Sequence, residues 1–195
     1  IDIDQSYIHY DHSEFVTKRT DTSVNLNQKI FSLQSKLTGP KITTGGLLQL
    51  REFMAGGFYW TPDTREINFA LFSLFERKIF GWIAQFSFRT ELLIIDPKSG
   101  SHRLSNMESA EVIRRYFNSL STSFQLSKKW SDLEASISTM LTSKAPQIED
   151  LYSDGPHLGT YSYEIGNPTL RLERTIGIEA NAKYVLTKGW MRLSS

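Results

Sequence analysis

Residues 79–95 read Ile-Phe-Gly-Trp-Ile-Ala-Gln-Phe-Ser-Phe-Arg-Thr-Glu-Leu-Leu-Ile-Ile. Phe80, Trp82, Ala84, Phe86 and Phe88 alternate with Gly81, Ile83, Gln85, Ser87 and Arg89. A period of two is that of a pleated strand with one apolar side, so this stretch predicts a half-buried, central strand. Its aromatics are expected in the core. RNA-binding sheets set such rings beside Lys and Arg, and here the opposite side is sparsely polar. Asp96-Pro97-Lys98-Ser99-Gly100 predicts the turn that follows.

Upstream the spacing changes. Ile67, Ala70, Leu71, Leu74 and Phe75 fall at i, i+3, i+4, i+7 and i+8, and Asp63 with Glu66 has capping-box spacing, which predicts a helix over 63–77. A shorter helix is expected over 46–55 from Leu47, Leu50 and Met54, stopped by Gly56-Gly57. Gln28–Leu37 reads as a strand ended by Gly39-Pro40. Downstream, Ala110, Ile113, Phe117 and Leu120 predict a helix over 107–120, with Asn106 or Ser105 as its cap. Trp130, Leu133, Ile137, Met140 and Leu141 predict another over 128–142, capped by Ser127. Residues 142–158 are expected to be a long loop, and four short strands over 160–193 a meander. Together these give an α+β class: a single domain in which helices cover a twisted antiparallel sheet, residues 28–195, preceded by an extended arm, residues 1–27.

Composition fits one domain with an extension: 195 residues, 39% hydrophobic and 12% aromatic. The charge is unevenly spread. Residues 1–27 hold five carboxylates against Lys18 and Arg19, a net −3, which leaves +4 for the body. An acidic arm with the aromatic anchors Tyr7, Tyr10 and Phe15 suits docking on a mildly basic surface. With no cysteine, disulfides, thiolate catalysis and Cys-based metal sites are excluded. No run reaches the ~18 apolar residues of a membrane-spanning helix.

Catalytic patterns are absent. His9 and His12 lack metal-ligand spacing, His102 follows a turn, and His157 with Asp154 and Ser153 matches no nucleophile elbow. Gly45-Gly46 and Gly56-Gly57 fit no phosphate loop. No catalytic residue, metal or cofactor is expected. The basic pairs Lys18-Arg19, Arg77-Lys78, Arg114-Arg115 and Lys128-Lys129 are candidates for anionic lipid or nucleoprotein, provided they share a face.

Ile3-Asp4-Gln5-Ser6-Tyr7, followed by Tyr10-Asp11, resembles the segment that precedes the globular domain in rhabdovirus matrix proteins of the vesiculovirus type. The order of expected elements over roughly the first 75 residues is also similar. The resemblance implies a non-enzymatic virion protein, found in the virion, the host cytoplasm and at the inner face of the host membrane. Such a protein self-associates through an arm (here Ile3, Asp4, Tyr7, Tyr10 and Phe15), binds anionic inner-leaflet lipid and condenses the viral nucleocapsid, without sequence-specific nucleic-acid binding. The chain departs from the family in lacking the Pro-Pro-x-Tyr budding motif and a Met in the arm, so neither budding by that route nor host shutoff is carried over. The alternative is a small-ligand-binding or enzymatic α+β domain with a pocket between helices and a curved sheet.

Overall fold

A computed structural model describes residues 1–15, 22–57, 61–98, 112–157, 161–186 and 189–194. Nearly all of it is β. Nine strands follow one another as a meander: β1 (Asp2–Phe15), β2 (Thr22–Thr38), β3 (Ile42–Gly57), β4 (Thr64–Ile79), β5 (Trp82–Pro97), β6 (Arg115–Lys129), β7 (Leu133–Lys144), β10 (Glu173–Leu186) and β11 (Gly189–Ser194). They form one antiparallel sheet in the order β1-β2-β3-β4-β5-β6-β7-β10-β11. The connection from β7 to β10 holds a single-turn helix, α1 (Ile148–Tyr152), and a small separate hairpin of β8 (Asp154–His157) and β9 (Ser162–Ile165).

The α+β expectation is therefore overturned. Expected helix 46–55 is part of β3, 63–77 is β4, and 128–142 runs from the end of β6 into β7; of 107–120, the part from Arg115 on is β6, and 107–111 lies outside the described residues. Among the described residues no helix covers the nine-stranded sheet as a layer. The physical reason is visible in β4. Its apolar residues occupy both sides of the strand, Ile67, Phe69, Leu71 and Phe75 on one and Ala70, Phe72 and Leu74 on the other. Any strand apolar on both sides contains the helical spacing by default. The capping signal was coincidental too. The Asp63 carboxylate accepts a hydrogen bond from the Ala55 backbone N–H at 3.0 Å across the hairpin, and Glu66 pairs with Arg51 on β3.

Expected strand 28–37 lies inside β2, and 79–95 resolves into the end of β4, a two-residue turn and β5. In that turn Phe80 and Gly81 both have positive φ, 50° and 80°, the geometry that joins antiparallel strands through two residues.

The connections at the two ends of the sheet are unlike. At one end β2–β3, β4–β5, β6–β7 and β10–β11 are separated by only two or three residues. At the other, β1–β2, β3–β4, β5–β6 and β7–β10 are separated by six, six, seventeen and twenty-eight.

Candidate functional site

Directly paired residues on antiparallel strands point to the same side, so the register defines two faces. On one, which we call the helix-bearing face, α1 packs at the long-loop end. Ile148, Leu151 and Tyr152 are buried with Phe53, Ala55, Ile95 and Phe117 of the sheet, and Leu26, Leu93, Leu170 and Leu172 close around them. The Tyr152 hydroxyl donates to the Ile113 carbonyl at 2.6 Å. Arg115 stacks over Phe117 and donates to the Leu170 carbonyl at 2.9 Å. Gly166 fits this corner because it has no Cβ. An added one would lie 2.6 Å from the backbone of Leu151 and Tyr152.

Beyond that cluster the helix-bearing face is mixed, with Ile30, Leu47, Phe72, Leu74 and Met140 standing among many polar groups. Gln49 donates to Ser32 at 3.1 Å, Ser87 and Ser123 share a hydrogen bond of 2.6 Å, and Gln85 donates to Glu76 at 2.9 Å. Arg51 bridges Gln28 and Glu66 at 3.1 Å to each. Lys36 pairs with Asp2, and Arg89 with Glu91. Glu149, on α1, meets Arg51, Glu66 and Asp150. Burial pushes its carboxyl above the ordinary 4.5, and the two neighbouring carboxylates add to the rise while Arg51 opposes it.

The opposite face, the open one, is banded. At the long-loop end a row of charges crosses the strands in register: His9, Lys29, Glu52, Arg65 and Asp96. Arg65 pairs with Glu52 at 3.0 Å and Arg114 with Asp96 at 2.7 Å. One row inward stand Tyr7, Phe31, Leu50, Ile67, Ile94 and Tyr116. From there to the row of Ile42, Phe75, Phe86 and Phe124, the open face of β1–β7 carries no Asp, Glu, Lys, Arg or His among the described residues; on β10, Arg174, paired with Ser143, puts one charge into the band. Its hydroxyls are partly satisfied within the sheet: Thr44 donates to the Phe72 carbonyl at 3.0 Å and shares a 2.8 Å bond with Ser73. Many of its large apolar side chains are exposed, including Phe69, Leu71, Phe75, Phe86, Leu120, Phe124 and Ile178.

At the short-turn end the band closes with Arg77, Trp82, Lys128 and Trp130. The Lys128 ammonium lies 5.2 Å from the Trp82 ring and 5.3 Å from that of Trp130, and the two rings meet edge to face.

The residues singled out from sequence separate by face and end. Ile3, Asp4, Tyr7, Tyr10 and Phe15 belong to β1, which pairs with β2 along its length; Ile3 and Tyr7 are on the open face, Asp4 and Tyr10 on the other, and a register shift falls at Phe15. Within each basic pair, neighbours on a strand point oppositely. Arg77 and Lys128 lie on the open face, Lys78 and Lys129 on the helix-bearing face. Arg114 and Arg115 sit at the long-loop end with the partners given above, and Lys18 and Arg19 lie outside the described residues. His9 and His12 make ion-pair contacts with Asp11 and Glu14 at 3.1 and 3.3 Å. Asp154 accepts from the Tyr163 hydroxyl at 2.9 Å. His157 is on β8, and His102 lies outside the described residues. Sequence reasoning missed the banded face as a whole. Its signal was present in Ser119–Ser127, where Leu120, Thr122, Phe124 and Leu126 alternate with Ser, Ser, Gln and Ser. No protein-family model matches the chain, and no curated protein matches it.

Proposed function

We propose that the sheet is wall of a transmembrane β-barrel, with the open face against lipid tails and the helix-bearing face toward a polar interior. One observation carries this reading: across β1–β7 an apolar band on one face holds no charge among the described residues, while Asp2, Asp4, Lys36, Arg89 and Glu91 back it at the same height on the other. A soluble sheet would bury its apolar side and wet its polar one. Here the apolar side has no protein against it among the described residues, and the polar side carries the helix.

The dimensions agree. From Ile94 to Ala84 the open-face run of β5 covers ten residue steps, about 33 Å along the strand and roughly 25 Å when tilted by ~40°, as barrel strands are. That is the height of the apolar belt such barrels present. Strands of 12–17 residues from β2 to β7 exceed the ~10 needed to cross. Short turns at one rim and long loops at the other are the connectivity of such barrels. A bilayer admits no open sheet edge. Since β1 and β11 are each paired on one side only, the reading requires further strands to join them, from the same polypeptide or from other copies. The loop carrying α1 then folds into the long-loop mouth, narrowing it.

Refolding the protein into phosphatidylcholine vesicles with brominated acyl chains tests this. Tryptophan fluorescence is expected to be strongly quenched, and the protein to resist carbonate extraction. Protein that stays unquenched, or is released by salt or carbonate, would overturn the barrel and favour peripheral attachment, as the matrix-like reading requires.

A further inference from the structure

The two rims of the open face differ in how their charges are neutralised. At the long-loop rim Arg65 is paired with Glu52 and Arg114 with Asp96, and Lys29 stands in the same row beside Glu52. At the short-turn rim Arg77 and Lys128 have no ion pair among the described residues, and the open-face strand positions there hold no carboxylate; Asp132 lies in the β6–β7 turn. Lys128 is only partly exposed, flanked by the faces of Trp82 and Trp130. Arg77 stands two strands away and one row nearer the middle of the band.

A cation held between two indoles at the edge of an apolar belt is stabilised by a counter-charge, and the described residues supply none in an ion pair. Indoles place themselves at the headgroup level of a bilayer, which is where phosphates are. We propose that Lys128, clamped by Trp82 and Trp130, together with Arg77, binds the phosphates of anionic phospholipid in the leaflet at the short-turn rim. The inference rests on the barrel reading and adds to it a lipid class and an orientation: the anionic phospholipid lies on the short-turn side, while at the long-loop rim both arginines are already held by carboxylates.

The test uses vesicles of phosphatidylcholine containing about a third phosphatidylglycerol, with brominated-lipid quenching to establish insertion, followed by native mass spectrometry of protein released into mild detergent. Retained lipid is expected to be enriched in phosphatidylglycerol. Lys128→Gln should lower that enrichment about fivefold, Arg77→Gln should lower it as well, and Arg65→Gln, at the other rim, should leave it unchanged. Insertion with no enrichment, or with enrichment indifferent to Lys128→Gln, overturns the lipid site and leaves the barrel standing. Failure to insert overturns the barrel itself.

Discussion

The open and helix-bearing faces are built by the same strands, residue by alternate residue, yet they solve opposite problems. Leu120 and Ser119 are chain neighbours. Leu120 stands in the apolar band and is half exposed, whereas Ser119 is opposite Glu91 on the other side. In the proposed barrel, lipid outside and water inside make both choices favourable. The helix-bearing face also divides along its length, with a packed cluster under α1 at one end and hydroxyls, amides and ion pairs interspersed with Leu47, Phe72, Leu74 and Met140 over the rest.

The most direct attempt to break this comparison places a charge on each face at one height. Leu120→Arg should cost about 2–4 kcal/mol in bilayer-refolded protein, the penalty of a basic side chain near the midplane on a lipid-facing site. Ser119→Arg should stay within about 0.5 kcal/mol. Denaturant titration of vesicle-inserted protein measures both, and equal costs would remove the distinction between the faces.

Two neighbouring glycines sharpen it. A Cβ on Gly45, on the helix-bearing face, would lie 2.2 Å from the Ser35 carbonyl oxygen and 2.6 Å from the Phe72 ring. Gly45→Ala should therefore cost about 1–3 kcal/mol through forced displacement. On the open face a Cβ at Gly46 meets the tip of Leu71 at 3.3 Å. Gly46→Ala should cost less than about 1 kcal/mol, since a leucine end can yield.

Ile95 and Ile94 make a smaller contrast. Ile95 is fully buried under α1, so Ile95→Val should cost about 0.5–1.5 kcal/mol. Acyl chains refill the space beside Ile94, and Ile94→Val should fall below that in the same titration.

The smallest effect concerns pH. Burial raises the Glu149 carboxyl above 4.5, so the docked loop holds more protons than the released one between that value and the raised one. Docking should weaken as pH climbs through this window. Hydrogen exchange of the α1 amides should report it, and Glu149→Gln should flatten the dependence. An unchanged profile would separate Glu149 from the docking equilibrium.

Only part of the strand content was legible, chiefly β2 and β5, and most of the architecture was not. The alternation at Trp82–Phe88 identified β5, because there one side is aromatic and the other is Ile, Gln and Ser. β4 defeated the same reasoning. Phe72 and Leu74 face the interior where a polar residue would have exposed the period, Phe72 because it covers Gly45. In β6, Phe117 and Leu120 have helical spacing yet point to opposite faces, so the spacing misleads there as well. The single turn of α1 lay inside an expected loop, since five residues give no periodicity to read. The banded face could not be read from any one segment. It exists only once the register aligns Lys29, Glu52, Arg65 and Asp96, residues far apart in the chain.

The meander also carries a kinetic consequence. Eight neighbouring pairings build the main sheet, and seven of them join strands consecutive in sequence. Four of these hairpins close across two or three residues, so they can zip from their turns within microseconds. The β7–β10 pairing must first gather twenty-eight intervening residues. That is about three doublings of loop length, an extra entropic cost of roughly 2 kcal/mol. The chain should therefore assemble as two preformed ribbons, β1–β7 and β10–β11, whose joining is the slow step and is helped by α1 settling onto Ile95 and Phe117.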